Sequence, residues 1–189
     1  MSLLYLRTAK TASSTVNAWC GADIKTTFNK RFLWEAPNQP EIETALAKKW
    51  YLFTTVRNPF TRAISCWRQA NKAAWIRNEV TFKDFLNLDF NSFESSWAIT
   101  HTIPVAEYLE PYMDKIDNFI KIENITEELR KIEKKFNLKQ REVKKYNESR
   151  YMDDKSLKDV YDDEAIQMVL DKYSIDFETF NYSKSIVDI

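Results

Sequence analysis

The sequence predicts an α/β protein, a layered fold with a central, mainly parallel sheet flanked by helices. Two observations lead there. Three short apolar runs, Leu3–Leu6, Trp50–Val56 and Asn118–Ile122, read as buried strands. Stretches with the 3.6-residue period of amphipathic helices separate them, as parallel crossovers require. No repeat, low-complexity tract or linker divides the chain, so residues 1–189 are expected to form one domain.

The first strand, Leu3–Leu6 with the aliphatic stem of Arg7, runs into the polar loop Thr8-Ala9-Lys10-Thr11-Ala12-Ser13-Ser14-Thr15. Val16, Ala18 and Trp19 then begin a helical pattern that stops at Gly21-Ala22-Asp23. Where a strand hands over to a helix, backbone N–H groups and the helix dipole favour an anion. Lys10 adds a positive charge, and Thr11, Ser13, Ser14 and Thr15 add hydroxyl donors. The loop reads either as a phosphate or sulfate cradle or as an ordinary Ser/Thr-rich helix cap with a solvated lysine. It is not a Walker A loop, because it holds no glycine.

Residues 24–48 are mixed, with Pro37 and Pro40 breaking the pattern. They are expected to be largely irregular, with a short helix from Glu41 to Lys49. The second strand, Trp50–Val56, ends at Arg57. Asn58 then reads as an N-cap and Pro59 as the first helical residue. Phe60, Ala63, Ile64, Trp67, Ala70 (or Asn71) and Ala74 mark the expected apolar face of that helix. Asn58 and Ser65 share a face two turns apart, roughly 10 Å. Arg57, at the strand end beside it, has a fork suited to phosphate oxygens.

Further on, Phe82–Phe93 suggests a short helix and Val105–Leu109 another. The third strand, Asn118–Ile122, precedes Asn124 and Glu127, spaced as a capping box, and a helix with Ile125, Leu129, Ile132 and Phe136 inward. Asp163–Tyr173 is the last long helix. From Arg130 to Arg150 there are nine Lys/Arg against three Glu, read as a solvated helix face or as a surface attracting an anionic partner.

Composition sets limits. With 44% hydrophobic residues, including 6 Trp, 9 Tyr and 12 Phe, the chain is a folded globular protein. With 28 basic and 28 acidic residues the net charge is zero, which argues against a nucleic-acid partner, so any anion site is local. Cys20 and Cys66 read as buried thiols rather than a disulfide. One His and two Cys argue against a structural zinc site, which takes four ligands. No apolar run reaches the ~18 residues of a membrane span, and no signal peptide precedes the first strand. A cytoplasmic location is therefore expected, with an excised lumenal catalytic domain as the alternative.

The pair KTASST (Lys10–Thr15) and VRNPFTRAISCW (Val56–Trp67) resembles the two nucleotide-binding motifs of the PAPS-dependent sulfotransferase superfamily. PAPS is 3′-phosphoadenosine 5′-phosphosulfate, and its product is PAP. The likeness is greatest to the carbohydrate branch that includes the heparan sulfate uronic-acid O-sulfotransferases. It extends through IKIENITEELRKIEKKFNL (Ile120–Leu138) to the closing Tyr173, Asp176, Phe180 and Tyr182. It implies a P-loop-like α/β fold and sulfuryl transfer, without a metal, to an acceptor hydroxyl on a carbohydrate or small molecule. Arg7, Lys10, Thr11, Ala12, Ser13, Ser14 and Thr15 would then hold the 5′-phosphosulfate, and Arg57 with Ser65 the 3′-phosphate. Tyr146 would lie in a loop over the nucleotide.

Lys10 would also neutralise charge on the leaving group. The family's base is a His or Glu, usually between the two motifs. No His lies there in this chain, which leaves the role open. Glu35 is the first candidate, read either as a base whose pKa is raised by its apolar neighbours Phe32, Leu33 and Trp34 or as a surface carboxylate. Glu41 and Glu43 are rivals, and His101, in a His-x-x-Pro element, is the other candidate. The chain also lacks the long insertions with which family members grip polymers, which favours a small or exposed acceptor. Two other readings stay open: a small P-loop kinase or other phosphate-handling enzyme, and a PAP-binding module without catalysis.

Overall fold

The computed structural model describes residues 2–26, 40–73, 76, 79–93, 95–144 and 160–189. Their elements run β1 (Leu3–Leu6), α1 (Ser13–Cys20), β2 (Lys25–Thr26), α2 (Pro40–Ala47), β3 (Tyr51–Val56), α3 (Pro59–Lys72), α4 (Phe82–Asn87), α5 (Ser96–Thr102), α6 (Val105–Leu109), β4 (Asn118–Lys121), α7 (Ile125–Lys135), α8 (Asp163–Lys172) and α9 (Ser174–Thr179), with short 3₁₀ turns between several of them. The chain gathers into two compact units, Met1–Arg57 with Leu109–Asn147, and Asn58–Tyr108 with Glu148–Ile189.

The first unit contains the sheet. Its order is β2-β1-β3-β4 and every pairing is parallel. Leu3 pairs with Tyr51 and Leu6 with Thr54, while Phe53 pairs with Asn118 and Val56 with Lys121. Every residue of β1 and β3 is buried, as expected of parallel strands covered on both faces. Leu3, Tyr5, Tyr51 and Phe53 point to one face, where they pack with Val16, Trp19 and Cys20 of α1 and Ile125, Leu129 and Ile132 of α7. Burying such a side chain contributes about 1.5–3 kcal/mol, so this layer fixes α1 against the sheet.

A polar clasp holds the far end of α1. Glu133, buried on α7, accepts from Trp19 Nε1 (2.9 Å), Arg130 Nη1 (2.6 Å) and the Arg141 amide (2.9 Å). The Arg141 guanidinium donates to the carbonyls of Trp19 (2.9 Å) and Cys20 (2.6 Å), the last of α1, and pairs with Asp23. A cation there complements the helix dipole. Gly21 closes the helix at φ +60, a conformation in which a side chain is strained. Burial raises the Glu133 pKa, but the three donors outweigh it and hold the carboxyl below the usual range. A depressed native pKa stabilises the fold above the unfolded value, about 4.3, and that stability is lost as pH falls through the native value. Glu133→Gln is therefore expected to flatten the acid limb of a stability-versus-pH curve measured by urea unfolding. An unchanged limb would remove Glu133 from acid sensitivity.

The second unit is helical. Phe60, Ala63, Ile64, Cys66 and Ala70 of α3 pack with Phe82 and Phe85 of α4, Ala165 and Val169 of α8, and Tyr161, Tyr173 and Phe177. Asn58 caps α3 as expected: its Oδ1 accepts from the Phe60 amide at 2.9 Å and Pro59 takes the first position. Both cysteines are buried and free; burial pushes the Cys20 thiol up to about 12.

Several local expectations are corrected. The sheet has a fourth strand, β2, within the segment expected to be irregular. Helix α1 starts at Ser13 rather than Val16. Asn124 does not cap α7 with its side chain, because it ends a 3₁₀ turn and lacks the extended backbone of a capping residue. The capping box lies instead at Thr81 and Asp84, before α4.

Candidate active site

The strand order places the site. From β1 the chain passes through α1 to β2 on one side, then returns to β3 on the other side of β1. Between the carboxyl ends of β1 and β3 the direction of winding reverses. Open parallel sheets bind their ligands in the crevice at such a reversal. The segments leaving these two ends are Arg7–Ala12 and Arg57, where the two sequence motifs begin.

The loop reaches α1 without glycine by strained backbone. Lys10 (φ 63) and Ala12 (φ 58) both take the left-handed conformation, at a cost of about 1–3 kcal/mol each. Ala12 is the N-cap residue of α1 and supplies no side-chain cap, so the helix-cap reading of the loop does not hold at this position. The positive end of the α1 dipole lies at Ser13. Lys10 and Arg57 are both half-buried, and Arg57 Nη1 donates to the Lys10 carbonyl at 3.4 Å. The two cations thus belong to one corner of the sheet.

Beneath them lies a chain of buried hydroxyls. Tyr5 OH and Thr55 Oγ1 are 2.7 Å apart, Thr55 Oγ1 and Thr11 Oγ1 3.0 Å, and Thr11 Oγ1 and Thr8 Oγ1 2.7 Å; Thr8 Oγ1 then donates to the Thr55 carbonyl at 2.6 Å. Burial raises the Tyr5 phenol well above its ordinary value, so it keeps its proton. Thr54 Oγ1 adds a bond to the Leu6 carbonyl at 2.7 Å.

The expected site residues fall as follows. Arg7, Ser14 and Lys10 are half-buried, Thr11, Ser13 and Thr15 are buried, and the Thr11 hydroxyl is taken up by Thr8 of the loop and Thr55 of β3. Ser65 is half-buried on α3, in the helical unit. His101 is buried in the last turn of α5 in the same unit, where its carbonyl accepts from Cys66 Sγ. Glu43 is exposed on α2, and its charge helps burial raise the Tyr112 phenol. Glu41 lies on α2, while Glu35 and Tyr146 lie outside the described residues. Sequence reasoning missed Tyr5, Thr8 and Thr55. The available signal was two adjacent threonines in an otherwise apolar strand, since buried hydroxyls must find partners. Among the described residues no group of three or more His, Cys, Asp or Glu is placed to hold a metal ion, and no helix is long and apolar enough to cross a membrane.

A parallel α/β sheet with a cationic loop at its winding reversal defines a protein of the anion- or nucleotide-handling class. The model of the sulfotransferase family matches residues 1–183, and the chain belongs to that family. The expectation of a PAPS-dependent sulfotransferase, drawn from the two motifs, is met at this level. Among solved structures, mouse sulfotransferase SULT7A1 complexed with PAP is similar at TM-score 0.51 and 14% identity, covering 96% of this chain and 88% of that one. That likeness bears on the fold. No curated protein matches the chain.

Proposed function

We propose that residues 1–189 form one sulfotransferase domain that moves a sulfuryl group from PAPS to an acceptor hydroxyl, on a carbohydrate or a small molecule. The observation that carries this reading is the meeting of Lys10 and Arg57 where β1 and β3 end. The donor set fits the cosubstrate: an ammonium, a guanidinium, a left-handed loop and a helix N-terminus suit two separated anionic groups. PAP on a related fold, in the mouse enzyme, supports the same ligand class. Bound there, PAPS would supply the sulfuryl group, its bond to the 5′-phosphate oxygen breaking as the acceptor oxygen bonds to sulfur.

The chain's own residues would position the groups and neutralise charge. Lys10 faces the negative charge that grows on the departing phosphate oxygen. Ser13, Ser14 and Thr15, in the first turn of α1, hold the 5′ end with the help of Arg7, Thr11 and Ala12. Arg57 takes the 3′-phosphate, with Ser65 and Tyr146 as the further contacts that the family resemblance implies. The acceptor's proton needs a base, and the candidates from the sequence are Glu35, Glu41, Glu43 and His101. No step in this scheme calls for a metal ion.

Transfer of ³⁵S-labelled sulfuryl from PAPS to a panel of sugars and small alcohols tests the function. Label on an acceptor supports it; PAP binding without transfer to any acceptor would leave a binding module. Arg57→Ala is expected to weaken PAP about 30- to 100-fold, the worth of a charge-assisted bond, and AMP less than threefold, by calorimetry. Equal losses for both ligands would remove Arg57 from the 3′-phosphate.

A further inference from the structure

The buried hydroxyl chain has a direction. Each hydroxyl has one proton to give. Thr8 spends its own on the Thr55 carbonyl at 2.6 Å. Thr11 must then donate toward Thr8, whose Oγ1 is 2.7 Å away and whose carbonyl is 3.1 Å away. Thr55 therefore donates to Thr11 at 3.0 Å, and Tyr5, which keeps its proton, donates to Thr55 at 2.7 Å. One order satisfies every group: Tyr5 to Thr55 to Thr11 to Thr8 and back to the Thr55 carbonyl. Thr55 is the residue that appears twice, once by its hydroxyl and once by its carbonyl. It binds both ends of the loop segment Thr8–Thr11, which encloses Lys10.

We infer that Thr55 is a positioning residue for the anion loop: its hydroxyl and carbonyl hold Thr8 and Thr11, and so fix Lys10 in its left-handed conformation before any ligand arrives. The loop needs such a hold. It contains no glycine, and two of its residues take strained backbone. Strain of this kind persists only when the surroundings over-determine it. Thr55 is fully buried and stands two residues before Arg57 on β3. It thereby ties the loop that carries one cation to the strand that delivers the other. A ligand meeting a loop already ordered does not have to order it on binding. The inference rests on the proposed nucleotide site for its effect on affinity, but not for its effect on the loop itself.

Three variants test it. Thr55→Val keeps the shape and removes the hydroxyl; Thr55→Ser keeps the hydroxyl; Tyr5→Phe removes the far end of the chain and leaves the loop bonds intact. In the ligand-free protein, amide hydrogen exchange at residues 9–13 is expected to rise at least tenfold in Thr55→Val and to stay within twofold of wild type in Thr55→Ser and Tyr5→Phe. PAP affinity by calorimetry is expected to follow the same order, with Thr55→Val weakened about tenfold or more. For the transfer reaction, KM for PAPS should rise with it more than kcat falls. Unchanged exchange in Thr55→Val overturns the inference, as does an equal loss in Tyr5→Phe, which would signify general core damage. If Thr55→Val does not fold, Thr55→Ala with Thr55→Ser as its rescue provides the same comparison; failure of Ser to restore the loop overturns it. The expected exchange pattern across the variants, together with no PAP binding by the wild type, would refute the nucleotide reading and leave the positioning role standing.

Discussion

Replacing Lys10 with Ala is expected to lower sulfuryl-transfer turnover by about 10²–10³-fold, the size of effect seen when one preorganised group facing a developing oxyanion is removed. Thermal stability should stay within a few degrees of wild type. The side chain is half-buried and belongs to no hydrophobic cluster, so its loss opens no cavity. Alanine is also an L residue, so the strain at φ 63 is unchanged and the loop gains no new freedom. A large fall in turnover with an intact fold would therefore report on charge. Normal turnover would exclude the ammonium from the chemistry.

The second large effect concerns stability. Asp176, 1% exposed, accepts from the amides of Val105 (2.9 Å) and Ala106 (2.7 Å) at the start of α6 and stands 4.0 Å from the equally buried Arg62 guanidinium. Burial raises the Asp176 pKa, while Arg62 and the two amides pull against it. Arg62 is further held over the Tyr173 ring, 5.7 Å from its centre. Taking away one partner of a buried pair costs about 3–5 kcal/mol, because the remaining charge loses its compensation. The α6 amides lose their acceptor at the same time. Asp176→Ala is thus expected to lower Tm by about 10 °C, with Asp176→Asn losing less because its carbonyl can still accept from α6. A Tm within 2 °C of wild type in Asp176→Ala would show that the helical unit does not depend on this pair.

The parts of the fold legible in the sequence were those with strong periodicity. Three of the four strands stood out as apolar runs because parallel strands are buried on both faces. The Asn58-Pro59 start of α3 was readable because cap and first residue are chemically distinctive. β2 was not readable: two residues, Lys25 and Thr26, one exposed and one half-buried, leave no pattern. Missing it hid the reversal between β1 and β3, the strongest structural pointer to the site. Lys10 and Arg57 were legible as charges at strand ends. Thr55 was not, since a β-branched residue in a strand looks like ordinary strand propensity until its hydroxyl partners are seen. The false cap at Asn124 shows the converse: residue type and spacing suggest a capping box, but the preceding 3₁₀ turn decides the backbone.

The most direct measurement is a calorimetric titration of the wild-type protein with PAP and, separately, with AMP. If one cation at the end of β1 and another at the end of β3 grip the two phosphate-bearing ends of a single adenosine ligand, PAP binds at least 30-fold more tightly than AMP, and the advantage shrinks as salt rises. Equal affinity for the two would mean that the second cation meets no second phosphate.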